Sequence, residues 1–256
     1  MLDSNAARSL TRLALFAPSL ACGCASEPWS RERAREREVF GYSVEGRPID
    51  GLVFGEGRQT LLFLGVTHGD EPAGAALLEG FAAYVATNPR IYRTRRIVIV
   101  PVVNPDGLER GTRRNARDID INRNFPSRNW TGAAANRSGS RPASEPETKT
   151  VLRLVRQFAP VRILSVHSPL RMVNYDGPAR QVAEAVAANC GYPVADSVGY
   201  PTPGSLGSYA GIDWGIPTIT LELDRDVGAA EAWRDFKDAL LAFVAHENAS
   251  VARGDE

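Results

Sequence analysis

The chain has 256 residues, 43% hydrophobic and 23% charged, enough to bury the core of one domain, and no apolar run long enough to span a membrane as a helix. Lys plus Arg and Asp plus Glu number 30 each, so no global field draws the protein to nucleic acid or to an anionic membrane, and any recognition of charge is local. Three cysteines, Cys22, Cys24 and Cys190, argue against a disulfide framework.

Arg8 and Arg12 precede a short apolar run, 13–21, that ends in the small residues Cys22-Gly23-Cys24-Ala25. That order is the order of an export signal and is similar to a bacterial lipoprotein signal; an unstructured start is the alternative. Residues 30–38 (SRERARERE) are dense in charge and read as a solvated helix or linker. The expected division is therefore a leader and charged linker over 1–38 and a catalytic domain over 39–256.

Residues 42–51 read as strand, turn and strand, and 59–66 (QTLLFLGV) as a buried strand running into His68-Gly69-Asp70-Glu71. Few breakers and helical spacing predict a helix over 73–86; 96–103 (RIVIVPVV) is a β-branched strand that stops at Asn104-Pro105-Asp106-Gly107, a turn signal. Residues 108–143 lack periodicity and are too long for an ordinary connection, which marks a functional or disordered loop. Ser144-Glu145-Pro146-Glu147 has capping-box spacing and opens a helix to Phe158. A strand over 161–166 then delivers His167, a helix over 179–190 closes at Gly191, a strand over 216–223 carries Glu222, and an amphipathic helix covers 229–246. Strands alternating with helices give one α/β domain, a mixed twisted sheet with helices on both faces and chemistry at strand ends, where open α/β sheets bind ligands.

His68 and Glu71 form a His-x-x-Glu pair, whose spacing lets an imidazole and a carboxylate converge on one ion; a surface His beside a surface Glu gives the same pattern. The chain has only three histidines, and His167 also follows an apolar strand, which favours ligands over packing. His246, on the last helix, carries no expected chemistry.

His68-Gly69-Asp70-Glu71, Asn104-Pro105-Asp106-Gly107, Arg113-Arg114-Asn115, Asp120-Ile121-Asn122-Arg123-Asn124-Phe125, His167-Ser168 and Thr220-Leu221-Glu222-Leu223 occur in the order and context of the zinc carboxypeptidase family. The chain resembles that family from about Tyr42 to its last strand. Within it, Asn122 to Pro126, Ser144 to Thr148 and Val198 to Ser208 look most like the short bacterial murein peptide amidases. One departure is Arg117-Asp118, standing where the family often has a Gly, so the backbone of that turn must tolerate side chains.

The resemblance implies one Zn2+ held by His68, Glu71 and His167, a His₂Glu set with an open fourth position. It implies Glu222 as general base, Arg113 as oxyanion stabiliser with Arg114 and Arg117 as neighbouring candidates, and Asn122 and Arg123 as the grip on a terminal carboxylate. Asp120 would orient a ligating histidine. Tyr200 lies 22 residues before Glu222, the spacing of the family's mobile tyrosine, with Tyr209 and Tyr175 as alternatives. The implied substrate is a murein tripeptide or a related small peptide with a free C-terminal carboxylate, cut at its γ-D-glutamyl to meso-diaminopimelate bond. Its side-chain pocket is expected from 203–209 and the loop 128–140. A zinc deacylase of desuccinylase or aspartoacylase type, a carboxypeptidase on ordinary peptides and a silent peptidoglycan binder are the other readings; an intact Glu222 argues against the last. The resemblance implies a cytoplasmic enzyme, whereas the leader allows a periplasmic or lipid-anchored one. Oligomeric state is not legible.

Overall fold

The structure is a computed structural model that describes residues 37–247 except Ala133. The leader, Cys22, Cys24 and nearly all of the charged linker lie outside the described residues. Among the described residues there are eight strands: β1 (Glu38–Tyr42), β2 (Pro48–Phe54), β3 (Gln59–Leu64), β4 (Arg95–Val100), β5 (Arg162–His167), β6 (Leu170–Asp176), β7 (Val194–Ala195) and β8 (Thr218–Asp224). The helices are α1 (Ala73–Thr87), α2 (Pro105–Arg110), α3 (Pro146–Phe158), α4 (Arg180–Ala187) and α5 (Ala229–Ala245).

The strands form one mixed sheet in the order β1-β2-β4-β3-β5-β8-β6-β7. Its centre, β4-β3-β5-β8, is parallel, while β2 and β6 run antiparallel to β4 and β8. Central parallel strands are covered on both faces, which is why 61–64 and 163–166 read as nearly unbroken apolar runs. Alternate residues divide between two clusters. Leu61, Phe63, Leu164, Val166, Ile219 and Leu221 pack with α1, α4 and α5, and Phe63 lies with its ring centroid 4.7 Å from Phe81 and 5.1 Å from Phe243. On the other face Leu62, Leu64, Val98, Val100 and Ile163 meet Val151 and Leu154 of α3, with Phe125 and Leu206.

Three local expectations change. Asn104 to Gly107 is not a bare turn but the start of α2: the Asn104 side chain accepts from Gly107 N at 2.9 Å and Pro105 fills the first helical position. The Ser144 capping box does not form. Ser144 Oγ instead donates to Glu145 Oε1, and Glu147 is drawn inward to accept from Val44 N and Asn115 Nδ2. Finally, β6 and β7 extend the sheet where no strand is expected. The Arg117-Asp118 turn does tolerate side chains: Asp118 adopts φ 61°, a conformation aspartate enters more readily than most residues, and its carboxylate pairs with Arg114 and Arg137 at 2.8 Å each.

Candidate active site and metal centre

Three strands that share one parallel direction bring the chemistry to one edge of the sheet. His68 and Glu71 follow the carboxyl end of β3, His167 ends β5, and Glu222, near the end of β8, is the direct cross-strand partner of His167. Val66, just upstream, is fully buried at φ 41°, a true outlier for a β-branched residue and the kind of strain that an over-determined functional loop holds in place.

His68, Glu71 and His167 are buried and converge. His68 Nδ1 lies 2.8 Å from Glu71 Oε1, His167 Nδ1 lies 2.9 Å from Glu71 Oε2, and the two Nδ1 atoms are 3.1 Å apart. On its far side His68 Nε2 meets Asp120 Oδ1 at 3.1 Å. When Nε2 carries the proton toward Asp120, the His68 lone pair sits on Nδ1, facing the other donors. Two imidazole nitrogens and a carboxylate with a fixed tautomer fit zinc, which takes N and O ligands in this number at catalytic sites.

The buried carboxylates of Glu71 and Asp120 draw positive charge to this centre. Burial opposes protonation of His68, but hydrogen bonds to Asp120 and Glu71 outweigh it and raise its pKa to about 9. Burial likewise would raise Glu71, yet His167 and then His68 lower it to about 2. Asp120, also buried, is pulled well below the usual carboxylate range by His68 and then Arg113. This corner therefore holds its carboxylates ionised. Glu222 behaves differently: burial pushes its pKa up, with His167 only partly offsetting, and it accepts a long hydrogen bond of 3.4 Å from Leu170 N.

Around these groups lies a cavity of about 230 Å³ lined by His68, Glu71, Arg113, Asn122, Arg123, His167, Tyr200 and Glu222 among others. Arg113 Nε donates to Asp120 Oδ2 at 3.1 Å and its Nη1 lies 3.5 Å from Glu71 Oε1, whereas Arg114 turns to Asp118 and Arg117 toward Glu145. Of three adjacent arginines, Arg113 alone faces the centre. Asn122 Oδ1 accepts from Leu206 N at 2.9 Å, which leaves its amide nitrogen for a ligand, and Arg123 Nη1 is steadied by Asn122 O at 2.7 Å. Gly204, at φ 75°, lets its chain approach here; a Cβ would sit 2.3 Å from Arg123 O.

Tyr200 is half exposed at the cavity wall, while Tyr209 packs on Phe125 with ring centroids 6.1 Å apart and Tyr175 does not line the cavity. The structure thus gathers all nine expected residues, His68, Glu71, His167, Glu222, Arg113, Asn122, Arg123, Asp120 and Tyr200, in or against one site. The expected side-chain pocket needs correction. Residues 128–140 do not line the cavity; Asn129 buttresses it from behind, through Gly204 N at 3.2 Å and Ser208 Oγ at 3.0 Å. Ser205, Leu206 and Gly207 line it as expected for 203–209, and the rest of the wall includes β6 and 196–202, with Asn174 and Asp176, which sequence reasoning missed.

A His₂Glu donor set and a buried strand-end carboxylate at the carboxyl edge of an α/β sheet define a metal-dependent hydrolase. The sequence model of the zinc carboxypeptidase family matches residues 32–223, and the chain belongs to that family of metallopeptidase-type hydrolases. The chain is 35% identical over 200 residues to murein peptide amidase A of Escherichia coli strain K12, covering 72% of this chain and 80% of that one. To the protein of the same name from Vibrio campbellii it is 31% identical over 226 residues, covering 81% and 87%. The crystal structure of murein-tripeptide amidase from Escherichia coli O157 superposes with a TM-score of 0.69 at 30% identity, over 84% of this chain and 94% of that one. Bovine thrombin-activatable fibrinolysis inhibitor shares the fold at a TM-score of 0.70 and 22% identity, over 82% and 88%.

Proposed function

We propose that the protein is a zinc enzyme that hydrolyses the γ-D-glutamyl to meso-diaminopimelate amide of murein peptides. The observation that carries this reading is one cavity holding the three convergent ligands, a buried Glu222 and a buried Arg123. The relatives named for murein peptides supply the substrate class.

His68, Glu71 and His167 would hold the zinc, which supplies Lewis acidity to the scissile carbonyl and to attacking water. Glu222 takes a proton from that water and passes it to the leaving amine; its raised pKa suits both directions of transfer. The Arg113 guanidinium, held by Asp120 beside the ligands, is placed to stabilise negative charge developing on the carbonyl oxygen. Asn122 and Arg123 bind the terminal carboxylate of the residue released, Arg123 with a planar fork that Lys lacks. Tyr200 closes the outer wall over bound substrate. Residues 1–38 serve as leader and linker ahead of the catalytic domain; the mass and lipid content of the mature N-terminus would tell an envelope enzyme from a cytoplasmic one.

The experiment is release of free diaminopimelate from L-Ala-γ-D-Glu-meso-diaminopimelate, with chelator and with zinc added back. Release that chelator abolishes and zinc restores is expected. A zinc-loaded protein that cuts only α-linked peptides or N-acyl amino acids would overturn the substrate assignment.

A further inference from the structure

We propose that the amino edge of the sheet, opposite the catalytic cavity, is a docking surface for an anionic phospholipid bilayer, with Arg58, Arg90 and Arg93 as its contacts to lipid phosphates. Such docking is independent of which bond the enzyme cuts; it orients the domain at a membrane and leaves the chemistry of the cavity untouched.

The two edges of the sheet differ chemically. Because the central strands run one way, their carboxyl ends lead to His68, Glu71, His167 and Glu222, while their amino ends carry arginine. Arg58 precedes β3, Arg90 and Arg93 lie in the turns ahead of β4, Arg95 and Arg96 open β4, and Arg162 opens β5. Strand pairing holds them level: Gln59 is the partner of Arg95, Thr60 of Arg96 and Leu61 of Arg162. The loops are packed backbone to backbone, since a Cβ on Gly57 would sit 2.3 Å from Thr94 O and one on Gly55 2.6 Å from Tyr92 O. The six residues of β3, at about 3.3 Å each, put roughly 20 Å between this edge and the metal ligands.

On much of the surface arginine is neutralised locally: Arg37, Arg47, Arg110, Arg114 and Arg137 each pair with a carboxylate. Arg58, Arg90 and Arg93 are exposed and have no carboxylate partner among the described residues. Arg95 and Arg96 turn to neutral groups, the Val244 carbonyl and the Phe158 ring. Two inner groups register the surplus of positive charge. Burial and then Arg95 lower the pKa of Arg162 to about 10, and burial and then Arg162 lower that of His246. Glu38, Glu56 and Glu247 offset part of this charge, so a chain with no net charge carries a basic pole. None of Arg58, Arg90 and Arg93 lines the catalytic cavity or the groove beside β1, so they suit an extended anionic surface better than a small enclosed anion. Chain direction favours a bilayer over nucleic acid. β1 is antiparallel to β2 and β2 to β4, so the chain enters β1 at the end nearer this edge, and Glu38 shares a groove with Gly55, Glu56 and Arg96. The signal-like residues 8–25 are thus linked to the domain at its basic pole, and basic residues beside a membrane-directed segment strengthen its hold on anionic lipid.

Co-sedimentation of the full chain with vesicles of phosphatidylcholine alone, and of phosphatidylcholine mixed with phosphatidylglycerol, tests the surface. Affinity is expected to be about 100-fold higher for the anionic vesicles, about fivefold for each of three arginines, and to fall as salt rises. Residues 1–36 are common to both arms, so the ratio of affinities reads the pole. Arg58→Gln, Arg90→Gln and Arg93→Gln combined should lower that ratio at least about tenfold, whereas Arg225→Gln, exposed at the opposite edge, should hold it within about twofold. Turnover of a soluble peptide should be the same in the triple variant as in the wild type. Equal affinity for the two vesicles, or a ratio that the triple variant leaves unchanged, overturns the proposal. So does tighter binding to a DNA duplex at equal phosphate concentration, which would make the partner nucleic acid. The wild-type comparison stands even if a variant fails to fold.

Discussion

Glu222 and Asp176 are both carboxylates whose ionisation burial disfavours, and they differ in what relieves the cost. Glu222 stands beside His167, so part of its burial is offset by a neighbouring charge. As a base it must be ionised. With its pKa raised, kcat/KM is expected to fall on the acid side at a pH above the ordinary Glu value of about 4.3. A profile with its acid limb at or below that value would remove Glu222 from the role. Glu222→Gln keeps all three ligands and should still bind one zinc per chain while losing about 10²- to 10⁴-fold in turnover; full activity with normal zinc content would refute the mechanism. Asp176 has no such relief. Its pKa of about 6 exceeds the ordinary 3.8, so the folded state holds this proton more tightly than the unfolded chain. Stability is therefore undiminished below about pH 4 and falls as pH rises through 6, by at most roughly 3 kcal/mol. Asp176→Asn should raise Tm at pH 7 and leave it unchanged at pH 4, which thermal melts at the two pH values decide.

At the level of elements, the irregular stretch between α2 and α3 is fixed by amide side chains rather than by periodic structure. Asn115 Oδ1 accepts from Arg117 N at 3.0 Å and Ile119 N at 3.1 Å, closing the turn that carries Arg113 and Asp120. Its Nδ2 donates to Glu145 at 2.9 Å and Glu147 at 3.1 Å, tying that turn to the start of α3. Asn115→Ala strips a shared donor from two buried carboxylates and should cost about 1–3 kcal/mol in denaturant unfolding. It should also raise KM for carboxylate-bearing substrates, since the chain leading to Asn122 and Arg123 loosens; an unchanged KM would show that the bonds of Asp120 to His68 and Arg113 suffice. The same devices explain what was legible. Strands β3, β4 and β5 announce themselves because both faces are apolar, and β8 because Ile219, Leu221 and Leu223 alternate with polar residues. β6 does not: Asn174 and Asp176 line the cavity on one face, and Arg171 shares the other with Val173 and Tyr175, so neither face shows an unbroken apolar alternation. The capping-box spacing misled because Glu147 satisfies Val44 and Asn115 instead of the helix end.

For the whole molecule, the His-x-x-Glu pair was readable from local spacing, whereas His167, 96 residues from Glu71, could be joined to it only through its strand-end position and the family resemblance. Strand order makes the meeting: β3 and β5 are adjacent and parallel, so residues just past their carboxyl ends must converge. The cavity wall from 196–202 and β6 is likewise a product of topology, as β8 runs between the two strands that carry His167 and Asp176. This architecture separates the support of the fold from the support of the metal. Two apolar clusters hold the sheet from opposite faces, and none of the three ligands belongs to either. The chelated protein should therefore remain folded and unfold cooperatively. Zinc at about 1,000 times its Kd adds roughly 4 kcal/mol to the native state, and each kcal/mol moves Tm by about 2–4 °C in a domain of this size, so chelation should lower Tm by roughly 8–16 °C. Zinc should restore the loss and magnesium should not, because two imidazoles and one carboxylate make a poor site for a hard, oxygen-seeking ion. Differential scanning calorimetry with chelator, zinc and magnesium decides it: collapse of the folded transition on chelation would mean that the metal centre, and not the two cores, holds the sheet together.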